Sequence, residues 1–248
     1  MRRDTLVAMS SAHAQLPASM ARAQLEALAA DPGFEGPWAR ERAQLMAGAT
    51  RPAAVLVLFG ILDALPASAG HDRCAVSSDL DVLLLARATT LRSHAGQIAF
   101  PGGRVELGDR DIVAAALREA REETGLDPAG VDVLGALREI PVPVSGHLVT
   151  PVLAWWRRPS PVRAVDAAES SSVFRAPVAD LLASENRRTS LTRRGGREWR
   201  GPAFVLADPR TGEERIVWGF TAGVLDAMFD RLGWTEPWDE GRIIDVPV

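Results

Sequence analysis

Glu119, Glu122 and Glu123 stand at i, i+3 and i+4 in the run Arg118-Glu119-Ala120-Arg121-Glu122-Glu123-Thr124-Gly125-Leu126. On a helix these spacings share one face, so the three carboxylates converge on one patch. Carboxylates gathered in this way repel one another unless a cation lies between them, and hard oxygen donors suit Mg²⁺ or Mn²⁺. The same letters also describe a solvated helix face on which Arg118 and Glu122 form an ordinary i,i+4 ion pair. The surroundings favour chemistry. Gly102-Gly103 follows a short apolar segment, a stretch of helical length comes next, and Gly125 ends it. Paired glycines let the backbone approach a metal or a phosphate closely and offer it a carbonyl or amides.

The elements that must hold these residues can be read from the pattern. Val55–Phe59 and Leu80–Leu85 read as buried strands, and Ile98–Phe100 as a short strand running into Pro101-Gly102-Gly103. A helix is expected from about Asp111 to Thr124, with Asp109 or Asp111 as N-cap and Gly125 as its stop. Strands follow near 131–137 and 148–155, then loop-like sequence over 157–172 and a short helix over 177–184. The basic, Gly-rich stretch 186–201 is expected as an exposed loop. Strands near 203–207 and 215–218 precede a last helix at about 220–232. Upstream, two short helices should flank Asp31-Pro32-Gly33. Strands and helices mixed on one core indicate an α/β or α+β fold.

The pattern around the glutamates resembles the Nudix hydrolase signature, G-x5-E-x7-R-E-U-x-E-E-x-G-U, where U is a bulky aliphatic residue. The match falls at Gly103, Arg118, Glu119, Glu122, Glu123, Gly125 and Leu126. Asp109 stands for the first acidic position, with one extra residue before Arg118, and Ala120 takes a U position. The stretch Leu91-Arg92-Ser93-His94-Ala95-Gly96-Gln97-Ile98-Ala99-Phe100-Pro101-Gly102-Gly103 resembles the block that the CoA-pyrophosphatase branch carries ahead of its box. Glu106 and Asp109 resemble that branch's acidic pair, and Trp218-Gly219-Phe220-Thr221-Ala222 its late segment. The likeness covers roughly residues 50–233.

This resemblance implies an α/β/α sandwich over residues 50–235; outside it, residues 1–49 are expected as a helical extension with no assigned role and 236–248 as a C-terminal tail. It implies Glu122 and Glu123 as metal ligands, Glu119 as ligand or general base, Arg118 as the residue orienting them, and Gly103 completing the metal shell. Glu169, ahead of Val173-Phe174-Arg175-Ala176-Pro177, is either a further ligand or base or a surface residue. Arg87, Arg92, His94 and Gln97 are the substrate-side candidates, and Gln97 could equally brace the Gly-Gly loop. The arginines of 187–200 could receive a phosphate-rich ligand or simply be solvated. The expected reaction is metal-dependent cleavage of CoA or acyl-CoA at its diphosphate. Other nucleoside diphosphate derivatives (ADP-ribose, NADH, nucleoside triphosphates) and a non-catalytic nucleotide sensor remain alternatives.

Composition sets outer bounds. The chain has 248 residues and a net charge of −4, which argues against a broad basic surface for nucleic acid. The longest apolar run, Ala53–Leu62, is too short to span a bilayer, so no membrane partner is expected. Behind Met1-Arg2-Arg3 the apolar stretch is only about four residues, short of the ~7–15 that a secretion signal needs. The single cysteine, Cys74, excludes an intramolecular disulfide and suits a reducing compartment. A cytoplasmic enzyme with a small nucleotide substrate is the expectation, with homodimerisation left open. Trp155 and Trp156 read as core and rim rather than a stacking platform.

Overall fold

The structure is a computed structural model. It describes residues 17–39, 42–46, 50–61, 76–90, 94–194, 196–208 and 212–247. Arg92, Cys74 and the N-terminal segment weighed as a signal lie outside these residues.

Two helices, α1 (Ala18–Ala29) and α2 (Arg42–Met46), precede the long strand β1 (Arg51–Ile61). Then come β2 (Leu80–Arg87), β3 (Ile98–Ala99), β4 (Gly102–Arg104) and the helix α3 (Ile112–Thr124). Strands β5 (Val131–Ala136), β6 (Ile140–Val142), β7 (His147–Trp156) and β8 (Ser170–Pro177) complete the first sheet. After a short helix α4 (Val178–Leu182), β9 (Arg187–Arg194), β10 (Arg197–Ala207), β11 (Glu214–Val217) and β12 (Ile243–Asp245) build a second, four-stranded sheet, with α5 (Gly219–Leu232) inserted before β12.

β1 lies at the centre of the first sheet, which runs β3-β2-β1-β7-β5; β4 also pairs with β1, β6 with β7 and β8 with β2. β1 is parallel to β7 and antiparallel to β2 and β4. Its nearly continuous apolar sequence follows from burial on both faces. Ala54, Leu56 and Leu58 pack with Ala115, Ala116 and Ala120 of α3. Val57 and Phe59 join Leu25 and Leu28 of α1 and Leu225, Met228 and Phe229 of α5 on the other face. The expected α/β/α layering is therefore present. Ala120, small where the Nudix pattern has a bulky residue, is fully buried against β1, so small side chains bring α3 close to the sheet.

Helix α1 belongs to the main core rather than standing apart. Ala21, Leu25 and Leu28 are buried in it, and Gln24 accepts a hydrogen bond from the Trp234 indole at 2.8 Å. The expected loop over 186–201 is instead the β9–β10 hairpin, with Arg187 opposite Phe204 and Arg194 opposite Arg197. Its arginines hid the strand pattern, and one of them faces inward. Arg187 is only 1% exposed, stacked against Phe204 and Trp238 and bonded to Asp226. The end of the expected loop over 157–172 is likewise strand, since Ser170 begins β8. Within 236–248, expected as a tail, Ile243–Asp245 pairs in parallel with β9 and Val246 is buried. Trp155 and Trp156 are both buried in the core.

Candidate active site

Helix α3 starts where Asp111 accepts the Ala114 N–H at 2.8 Å, and it ends where Gly125 takes a left-handed conformation. Of the two cap candidates, Asp111 is the cap. Asp109 serves the arginine instead, accepting from Arg118 Nε at 2.9 Å and Nη2 at 3.0 Å. The guanidinium holds this carboxyl below its usual range, helped by the Glu106 N–H that donates to Asp109 Oδ2 at 2.8 Å. Arg118 Nη1 lies 2.9 Å from Glu122 Oε2 and 3.2 Å from Glu119 Oε1, and Nη2 also donates to the Arg104 carbonyl at 3.0 Å. One guanidinium thus ties the loop before α3 to two of its glutamates.

The Gly-Gly pair that opens β4 meets the other side of the patch. Glu123, 9% exposed, accepts the Gly102 N–H at 2.9 Å through Oε2. A Cβ on Gly103 would lie 2.4 Å from Glu119 Oε1, so only glycine lets strand and carboxylate approach this closely. Burial pushes the Glu123 carboxyl up to about 7, against the stabilising Gly102 hydrogen bond, with Glu119 and Glu169 adding repulsion and Arg87 opposing it. Burial also raises Glu119, while Arg118 opposes the rise. Glu122, 58% exposed at its side chain, points to the solvent side of the same turn.

Among the described residues no three His, Cys, Asp or Glu side chains are drawn together as a metal cage, and Arg118 ion-pairs with Glu119 and Glu122. The donor chemistry nevertheless fits a hard divalent cation. Two carboxylates whose charge is disfavoured by burial lie beside each other and beside a backbone turn approached closely by one of them.

The substrate-side candidates flank this patch. Arg87 is half-buried, its Nε lacks a hydrogen-bond partner, and its charge acts on Glu123. Glu169 is exposed near Glu123, and its carbonyl accepts the Ala88 N–H at 2.9 Å. His94 has a left-handed backbone, φ 58°, and its Nδ1 is 2.8 Å from Gln97 Oε1. The Gln97 side chain therefore braces His94 rather than the Gly-Gly backbone. Arg51, Arg104 and His147, which begin or end strands near this site, were not among the sequence candidates. They are far apart in the chain and single polar letters at strand ends, so no spacing signalled them.

The model of the NUDIX domain matches residues 72–194. The chain is 39% identical over 153 residues to Nudix hydrolase 15, mitochondrial, of Arabidopsis thaliana, covering 59% of this chain and 51%, about half, of that protein. It is 38% identical over 157 residues to the uncharacterized Nudix hydrolase NudL of Shigella flexneri, covering 62% of this chain and 76% of that one. Among solved structures, the Nudix hydrolase RenU of M. smegmatis aligns with TM-score 0.38 and 24% identity over 51% of this chain and 70% of that chain.

Proposed function

Because the chain belongs to the Nudix hydrolase family, we propose that it is a Mg²⁺- or Mn²⁺-dependent hydrolase that splits CoA or acyl-CoA into 3′,5′-ADP and (acyl-)4′-phosphopantetheine. The observation that carries the reading is the junction of the Gly102-Gly103 turn with Glu119 and Glu123, directly after the His94–Phe100 block. Glu119, Glu122, Glu123 and the Gly103 backbone are the proposed ligands. A bound divalent ion would polarise a phosphoryl oxygen and acidify a water at this edge.

The protein's own residues supply the rest. Arg118 positions Glu119 and Glu122 and, through Asp109, fixes the loop that leads into α3. Glu119 or Glu169 accepts the proton of the attacking water; Glu119 lies against Gly103, and Glu169 is the more exposed of the two. Arg87, with an unpartnered Nε beside Glu123, orients the diphosphate through charge-assisted hydrogen bonds. His94 and Gln97 act as a braced pair at the substrate side, and Arg92 belongs to the same sequence block. One cysteine and no described helix long and apolar enough to cross a membrane suit a cytoplasmic enzyme.

The test is a product assay with CoA, ADP-ribose, NADH and dATP in parallel, first with Mg²⁺ and then with Mn²⁺. The expected result is fastest turnover of CoA, with 3′,5′-ADP and phosphopantetheine as products. Faster turnover of another compound would reassign the substrate. No turnover of any would leave a nucleotide-binding sensor, a reading that the retention of all three glutamates weighs against.

A further inference from the structure

The strand register gathers a second set of charges away from the glutamates. Arg51 is the parallel register partner of His147, and Arg104 lies opposite Ala53 on the other side of β1. Register partners share a face, as do residues two apart on one strand. Arg51, Arg104 and His147 therefore project from one face of the sheet. Gly103 faces Glu119 on α3, so its neighbour Arg104 faces away from that helix. Burial first, and then the nearby Arg51, Arg104 and His94, hold the His147 imidazole below its usual range, so at neutral pH it is an uncharged hydrogen-bonding group.

Nothing described neutralises this group. Neither Arg51 nor Arg104 pairs with a carboxylate among the described residues. Arg51 donates to the Ser145 carbonyl, and His147 Nε2 is buried with no hydrogen-bond partner. Two guanidiniums without a carboxylate counter-charge create a local positive potential that favours an anion, and the neutral His147 ring adds a hydrogen-bonding nitrogen. Guanidinium forks suit phosphate oxygens in particular. The group is also tied to the candidate active site, because the Arg104 carbonyl accepts from Arg118 at 3.0 Å and Gly103 beside it touches Glu119.

We infer that Arg51, Arg104 and His147 form a subsite for a phosphate of the substrate that lies outside the diphosphate being cleaved. The inference rests on the CoA reading above, in which that group is the 3′-phosphate of the adenosine. The Gly103-Arg104 step joins the two places, so with the diphosphate at the Glu119–Glu123 edge the adenosine end is the part of the substrate assigned to these arginines. The phosphate dianion there supplies the missing counter-charge, and the arginines discriminate for it.

Two measurements test this subsite. The first compares kcat/KM for CoA and dephospho-CoA in the wild type, Arg104→Ala and Arg51→Ala, with thermal melts to verify folding. The wild type should favour CoA by roughly 5- to 150-fold, and each variant should narrow that ratio at least several-fold. An unchanged ratio, or an equal fall on both substrates, would overturn the inference; the equal fall would assign the arginines to the diphosphate itself. The second is calorimetric binding of 3′,5′-ADP and 5′-AMP without divalent metal, which needs no turnover. Tighter binding of 3′,5′-ADP that Arg104→Ala abolishes supports the subsite even if CoA is not the substrate hydrolysed. Equal binding of the two nucleotides by the wild type overturns it.

Discussion

Arg118 grips Asp109 with two parallel hydrogen bonds, 2.9 and 3.0 Å, nine positions back in the chain. This fork leaves Nη1 to reach Glu119 and Glu122, so the planar guanidinium sets the angle at which the glutamates are presented. Lysine keeps the charge and loses the fork. Arg118→Lys should lower kcat by roughly 10- to 100-fold while KM changes much less, because what is lost is the geometry of the reacting groups. A steady-state comparison of the two parameters checks it; an effect confined to KM would assign Arg118 to substrate binding instead.

Glu123→Gln should remove most activity, on the order of 10²-fold or more, while the fold persists. The amide oxygen still accepts the Gly102 N–H that Glu123 Oε2 takes at 2.9 Å, so the turn keeps its anchor. Circular dichroism alongside the rate assay separates a lost ligand from an unfolded chain. Wild-type turnover in a variant free of excess metal would remove Glu123 from the proposed ligand set.

The two glycines of β4 should respond differently to alanine. At Gly103 the new methyl would press on the Glu119 carboxylate, the end of a side chain that can swing aside, so Gly103→Ala should fold but lose at least ~10-fold in kcat. At Gly102 the methyl would meet the Ala54 carbonyl at 2.3 Å and the Val55 Cα at 2.6 Å, inside the β1–β4 pairing. Backbone there cannot yield cheaply, and Gly102→Ala should lower Tm markedly or prevent folding. Similar melting curves for the two variants would contradict this contrast.

Asp81, on β2, is 3% exposed and its Oδ1 has no hydrogen-bond partner. Burial, with repulsion from Asp180 and Asp79, pushes its carboxyl up to about 7. A folded pKa above the unfolded one means that the native state binds the proton more tightly. Stability from this group is therefore full below about pH 4 and declines as pH rises through about 7. Asp81→Asn should stabilise the protein at pH 8 by on the order of a few kcal/mol and show little gain at pH 4. Chemical denaturation at the two pH values reads the difference, and an equal effect at both would refute the buried-proton account.

Arg187 should prove structural despite its place in a basic stretch. Its guanidinium packs 4.8 Å from the ring centres of both Phe204 and Trp238 and pairs with Asp226 of α5. Arg187→Ala removes the buried cation from the half-buried Asp226 and empties the space between Phe204 and Trp238, a change expected to cost on the order of 2–3 kcal/mol. Thermal melting checks the loss. Arg193, exposed on the same strand, should cost little when changed to alanine, because its partners Glu198 and Asp245 are solvated.

The glutamate helix was legible because every signal it needs is local. Glu119, Glu122 and Glu123 share a face through helical periodicity alone, Asp111 and Gly125 mark its ends, and the apolar run of β1 announces a strand covered on both sides. The pairings between elements were not local. Which acid caps α3 and which meets Arg118 depended on how the 104–111 loop folds back. Arg187 reads as a surface letter until Phe204 and Trp238, 17 and 51 positions onward, close around it. The subsite of Arg51, Arg104 and His147 exists only because β1 takes β7 on one side and β4 on the other. Residue type and short-range spacing determine what chemistry a segment can offer, since backbone geometry repeats every few residues. Strand register decides which distant side chains share a face, and that choice is made by burial of the whole sheet between its two helical layers.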